Sequence, residues 1–163
     1  MDTSDLPAQL TAGAAAYQLR QAAAADVAVI VGLLADDQLG ATRDGGDLAP
    51  YLRAFAAIDA DPAQRLLVAC PAGGEVAGTM QVTFIPGLAR RGALRAQIEA
   101  VRVARGHRGQ GLGEAMIRWA IADAGRRGCA LVQLTSDKRR PAAHRFYERL
   151  GFTASHEGFK LFL

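Results

Sequence analysis

The chain has 163 residues, half of them hydrophobic and 21% charged, which is enough for one buried core and no more charge than a globular domain carries. A net charge of +3, with basic residues scattered rather than blocked, suits an anionic small ligand and excludes the basic stripe of a nucleic-acid-binding domain. No apolar run approaches the roughly 20 residues of a membrane span, and Asp2 and Asp5 stand where a signal peptide would be basic, so a cytoplasmic protein is expected.

In chain order, residues 1–16 are small, polar and aperiodic and read as a flexible segment ahead of a domain spanning 17–163. From Tyr17, "YQLRQA" alternates as a strand, and Asp26 is a candidate N-cap for the helical run "VAVIVGLLADD". A polar, glycine-rich stretch leads to a second helical pattern from Asp47 to about Ala60, ended by Asp61-Pro62. "RLLVAC" and "EVAGTMQVTFI", joined through Pro71 and Gly73-Gly74, give a hairpin signal. After the basic loop "LARRGALR", the strand pattern "AQIEAVRVA" runs straight into "RGHRGQGLG". A helix follows from Leu112 to about Arg127, closed by Gly128, and then "CALVQLTS" reads as a buried strand. Pro141 opens the helix "PAAHRFYERL", Gly151 closes it, and "FTASHEGFKLFL" contains at least one more strand. Cys70 and Cys129 stand apart in apolar contexts and read as buried thiols. With three scattered histidines they offer no metal-ligand spacing, and no metal is expected.

The chemistry concentrates in the loop before the third helix. Glycines at 109, 111 and 113 remove the Cβ atoms that keep a ligand off the backbone, and the helix that follows leaves its first N–H groups unpaired and partly positive. Together these suit a phosphate. The loop of nucleoside triphosphatases needs a Gly-Lys pair that is missing here. The dinucleotide fingerprint would need glycine at position 114 or 116, where Glu114 and Met116 stand.

Arg108-Gly109-Gln110-Gly111-Leu112-Gly113, after a strand and before a helix, resembles the Q/R-x-x-G-x-G/A loop of the GNAT superfamily of acetyl-CoA-dependent N-acetyltransferases. "AAHRFYERLGF", from Ala142 to Phe152, looks like the same family's late helix A-x-x-x-Y-x-x-x-G-F. The resemblance implies a single α/β domain. Its central sheet would be mixed but mostly antiparallel, with six to seven strands splayed after the fourth, and about four helices would flank it. It also implies acetyl-CoA as cosubstrate, with Arg108, Gly109, Gln110, Gly111, Leu112 and Gly113 cradling the pyrophosphate and the main chain of Val101, Arg102 and Val103 lining the acetyl arm. Tyr147 matches the tyrosine near the thioester sulfur. Seven residues earlier, where the family often has asparagine, this chain has Arg140, which could meet a phosphate instead.

Forming an amide from a thioester requires a neutral amine and a proton for the departing thiolate. A tyrosine hydroxyl can supply that proton, since a phenol of pKa about 10 and a thiol near 8.5 are closely matched. Glu99 is the candidate base, because a carboxylate on an otherwise apolar strand needs a partner or a cleft. In an unbroken strand it shares the parity of Val101 and Val103, an argument a bulge would reverse; its alternative role is a salt bridge to Arg95 or Arg102. His107 and His144 are expected in solvent, and His156 on the terminal strand. Leu112, Met116, Trp119 and Ala120 should form the buried stripe of the loop's helix, and Asp36 and Asp37 could meet a cationic substrate. The expected activity is acetyl transfer to a primary amine of a small molecule or peptide, by a monomer or homodimer. A silent coenzyme A-binding or sensor module is the rival, and the acceptor itself is not legible.

Overall fold

The computed structural model describes residues 6–36 and 44–163. Six strands form one sheet in chain order: β1 (Ala8–Ala12), β2 (Ala15–Gln21), β3 (Gln64–Pro71), β4 (Gly78–Pro86), β5 (Leu94–Val103) and β6 (Leu131–Leu134). Each neighbouring pair is antiparallel except β5 and β6, which are parallel. The helices are α1 (Val27–Ala35), α2 (Ala49–Ala60), α3 (Leu112–Arg126) and α4 (Pro141–Arg149). The short coil Ala89–Gly92 is a turn rather than a helix, because Arg90 and Arg91 carry positive φ.

Burial alternation assigns the two faces of the sheet. Leu10, Leu19, Leu67, Met80, Val82, Ala96 and Ile98 point to one face and pack under Leu112, Met116, Ile117, Ala120 and Ala124 of α3. Phe146, Tyr147 and Leu150 of α4 join the rim of that core. The opposite face is smaller: Ala22, Val68 and Cys70 pack beneath Ile30 and Leu33 of α1, with Phe55 of α2 alongside. Asp26 accepts the Ala23 N–H at 2.7 Å and grips Arg20 in a two-pronged pair at 2.7 and 2.9 Å, fixing the entry to α1.

Four expectations change. Residues 8–12, read as part of a flexible segment, form β1, with Leu10 and Ala12 buried under α3. Their small side chains weaken the alternation, but the tight turn to β2 pairs them in register from Ala8↔Leu19 to Ala12↔Ala15. The buried strand expected over 129–136 is four residues long and only half-buried. No strand forms over 152–163. The bulge that would overturn the Glu99 parity argument is present. Between the pairs Gln81↔Glu99 and Thr79↔Arg102, β5 carries one extra residue, and Ala100 takes a φ of 53°.

The bulge decides what the end of β5 presents. Before it, Ala96 and Ile98 face α3, whereas Glu99 pairs with Gln81 and faces the α1–α2 side. After it, Val101 and Val103 turn to the α3 core and Arg102 joins the face of Glu99. Pairing to β6 runs only from Arg95↔Leu131 to Ile98↔Leu134. Beyond Ile98 the two parallel strands part. This is the splay expected after the fourth strand, here the fifth because β1 is added.

The core under α3 fixes this arrangement, and Ile117 is fully buried in it. Ile117→Ala should lower unfolding free energy by about 3 kcal/mol through lost transfer and a residual cavity. Urea denaturation should show a shifted midpoint at unchanged slope.

Candidate functional site

The loop from Ala104 to Gly111 leaves the end of β5 through one turn of 3-10 helix, Arg105–His107, and enters α3 directly. Gly109 (φ 72°) and Gly111 (φ 90°) are left-handed, so their glycine character is required by the path of the loop itself. Gly113 lies inside the helix, where a Cβ would sit 3.7 Å from Val103 Cγ2 and 3.8 Å from Phe146 Cζ. Those contacts show that the loop, the end of β5 and α4 converge on one place.

α3 has no side-chain cap: its N-cap residue is Gly111, and the first N–H to find a helical acceptor is that of Ala115, bonded to the Gly111 carbonyl at 3.0 Å. Among the described residues, none of the six N–H groups from Gly109 to Glu114 donates a hydrogen bond. Six adjacent donors at the positive end of a 15-residue helix make an anion receptor of main chain alone.

Side chains hold that receptor in place. The His107 ring meets the Tyr17 hydroxyl of β2 through Nδ1 at 2.8 Å, edge-on to the tyrosine ring, so this histidine is half-buried rather than solvated. Arg108 donates to the Val103 carbonyl at 2.8 Å and to the Asp36 carboxylate at 3.0 Å. Arg105 pairs with the same carboxylate at 2.8 and 3.0 Å. Asp36 therefore serves the loop instead of standing open to a cationic substrate; Asp37 lies outside the described residues. Its two arginines, Arg105 foremost, hold the Asp36 carboxyl below the ordinary carboxylate range, so the tie persists at neutral pH. Gln110 folds back onto the Gly106 carbonyl at 2.8 Å. None of these ties has a local sequence signal; Tyr17 and His107 are 90 positions apart.

Tyr147, half-buried on α4, packs edge-on between Phe146 and Phe152, with ring centroids 5.1 and 5.9 Å away. Burial pushes its phenol above the ordinary value of 10.0, while the charges of Arg140 and Arg102 pull the other way. Its hydroxyl therefore stays protonated at neutral pH. Arg140 is exposed at the N-cap of α4, and Arg102 donates to the Val101 carbonyl at 2.9 Å. Glu99 is exposed on the opposite face of the sheet. His144 is half-buried and bonded to the Asp137 carbonyl at 2.9 Å, not solvated. His156 lies on exposed, irregular chain. Leu112, Met116 and Ala120 are buried and Trp119 half-buried, the expected packing stripe. Among the described residues no cluster of three His, Cys, Asp or Glu is placed to hold a metal, and no helix is long and apolar enough to cross a membrane.

Comparisons with known proteins fall on the same region. The sequence model of the Acetyltransferase (GNAT) family matches residues 30–152. A solved structure described as a transcriptional regulator from Bacillus halodurans C-125 is 47% identical, covers 90% of this chain and 99% of its own, and superposes with a TM-score of 0.86. A Clostridium acetobutylicum protein described as a predicted acetyltransferase, solved with acetyl-CoA, shares the fold at 19% identity and a TM-score of 0.70, over 89% of this chain and 95% of its own. The aminoalkylphosphonate N-acetyltransferase of Salmonella typhimurium is 40% identical over 52 residues, 32% of this chain; the match spans about a third (34%) of that relative's length.

The tie to β2 predicts an asymmetry. His107→Ala leaves a buried phenol without its partner and should cost about 2 kcal/mol, whereas Tyr17→Phe removes only the bond, at about 1 kcal/mol. Denaturant titrations of both variants should give that order; equal losses would contradict the tie.

Proposed function

This chain belongs to the GNAT acetyltransferase family, and from that premise we propose that it transfers acetyl from acetyl-CoA to a primary amine by direct attack of the amine on the thioester. The observation that carries this reading is the row of six open N–H groups, Gly109 to Glu114, beside the parting of β5 and β6. These amides would hold the pyrophosphate. The end of β5, Val101 to Val103, would line the acetyl arm where β6 no longer covers it. Arg108 acts here as a positioning residue, since its guanidinium is engaged by Val103 and Asp36. Arg140, exposed beside α4, is free of that duty and would meet a coenzyme phosphate.

The bulge at Ala100 separates the two proton-transfer groups. Tyr147 packs against the same α3 core as Val101 and Val103, while Glu99 faces the α1–α2 side. A neutral amine is needed for attack, so Glu99, directly or through water, takes a proton from the arriving ammonium. As the carbon–nitrogen bond forms and the carbon–sulfur bond breaks, Tyr147 gives its hydroxyl proton to the departing thiolate and recovers one from solvent. Neither cysteine is suited to a covalent route: Cys70 is buried, and burial raises the Cys129 thiol. The relative acting on aminoalkylphosphonates supports an amine acceptor.

Tyr147→Phe should lower kcat about a hundredfold, the usual scale for one acid–base group, with little change in acetyl-CoA affinity. Because burial raises the phenol pKa, the donor is protonated at neutral pH, and loss of its proton lowers kcat only at a higher pH than for an ordinary phenol. The wild-type profile should therefore show its Tyr147-dependent alkaline fall displaced upward from the pH at which a free tyrosine titrates, and Tyr147→Phe should abolish that fall. The description of the 47% identical relative as a transcriptional regulator favours a second reading, a coenzyme A-binding sensor without turnover. An amine panel followed by thiol release separates the two. Tight acetyl-CoA binding with no turnover on any amine would establish the sensor.

A further inference from the structure

We propose that the acceptor is a polyhydroxylated primary amine, recognised by a patch of side-chain amides that runs across four strands beside Glu99. The register of the sheet lines up Gln64 of β3, Thr83 of β4, Gln97 of β5 and Gln133 of β6 in one row. In the next row along the same face, Gln81 stands opposite Glu99. Gln64 shares the parity of Leu66, which packs beneath α1 and α2, so the patch lies on the α1–α2 face. The apolar cluster under those helices reaches Leu66, and the row beyond it is polar. All six side chains stay partly or fully exposed.

The amides are already paired with one another. Gln81 Nε2 donates to Gln64 Oε1 at 3.0 Å, Thr83 Oγ1 donates to the same oxygen at 2.8 Å, and Gln133 Nε2 donates to Gln97 Oε1 at 2.6 Å. Each pair therefore keeps one amide nitrogen to donate, on Gln64 or Gln97, and one amide oxygen to accept, on Gln81 or Gln133. A ligand group facing such a pair must give and take a hydrogen bond from nearly one point. A hydroxyl does both through a single oxygen, whereas an ammonium only donates and an ionised phosphonate only accepts. Among the six residues Glu99 alone is charged, so the complementary molecule has a cation at one end and uncharged groups along the rest. Glu99 and Gln97 lie about 7 Å apart along the strand, within reach of one short carbon chain. The assignment rests on the reading of Glu99 as the group that receives the acceptor's ammonium. Arg95 and Arg102 stand just beyond the patch on β5, which makes an anionic amine the occupant that the test must exclude.

Titration calorimetry on the full chain saturated with coenzyme A compares glucamine, an open-chain aminohexitol, with hexylamine, its counterpart without hydroxyls, and with aminoethylphosphonate. Glucamine should bind about tenfold more tightly than either, the scale of one hydrogen bond. Gln97→Leu and Gln64→Leu should each remove most of that advantage while still binding acetyl-CoA, which checks that the variants fold. Equal affinities, a tighter phosphonate, no binding of glucamine, or a preference that survives in both variants would overturn the proposal. Thiol release from acetyl-CoA reads the transfer reaction separately. Preferential binding of glucamine without turnover would remove the acetyl-transfer reading and keep the recognition surface. Turnover confined to amines without hydroxyls would do the reverse.

Discussion

The first turn of a helix has no acceptors of its own for its N–H groups, and at the start of α3 six of them, Gly109 to Glu114, stand side by side without a protein acceptor among the described residues. Within the loop, the His107 and Arg108 N–H groups turn back to the Ala104 and Arg105 carbonyls and the Gln110 side chain to Gly106, leaving the six donors untouched. The loop is also fixed from outside, by His107 on Tyr17 of β2 and by Arg105 and Arg108 on Asp36 at the end of α1. Two elements far apart in sequence thus clamp one loop, and none of these ties uses one of the six donors.

The second determinant is the extra residue in β5. Without the bulge at Ala100, Val101 and Val103 would fall on the face of Glu99, and Arg102 would point into the α3 core. With it, the strand sends a carboxylate to one face and apolar side chains to the other, just past the point where pairing with β6 ends. The phenol of Tyr147 and the carboxylate of Glu99 are thereby held on opposite sides of the parting strands. In the proposed reaction that separation keeps the proton acceptor apart from the donor, each with its own approach to the reacting thioester.

The sequence made the donor side legible and the supports much less so. Glycines at 109, 111 and 113, the helix after them and the pattern around Tyr147 are local features, and local features survive in a one-dimensional reading. The structure refines even these, since Gly109 and Gly111 are needed for the path of the loop and Gly113 for its packing against Val103 and Phe146. Three features had no local signal: the short strand Ala8–Ala12, built of small residues; the bulge, placed at an alanine where glycine or asparagine would have announced it; and the bond of Tyr17 to His107 across 90 positions. The tail 152–163, expected to contain at least one strand, forms none, since sequence gives a propensity and pairing supplies the strand.

The central claim is that the open amides of the loop receive the coenzyme's pyrophosphate. An NMR titration of the isotopically labelled protein with acetyl-CoA reads those N–H groups one by one. The account predicts that the amides of Gly109 to Glu114 show the largest shifts in the protein and move together along a single saturation curve. Saturable binding that leaves these six amides unmoved would contradict it.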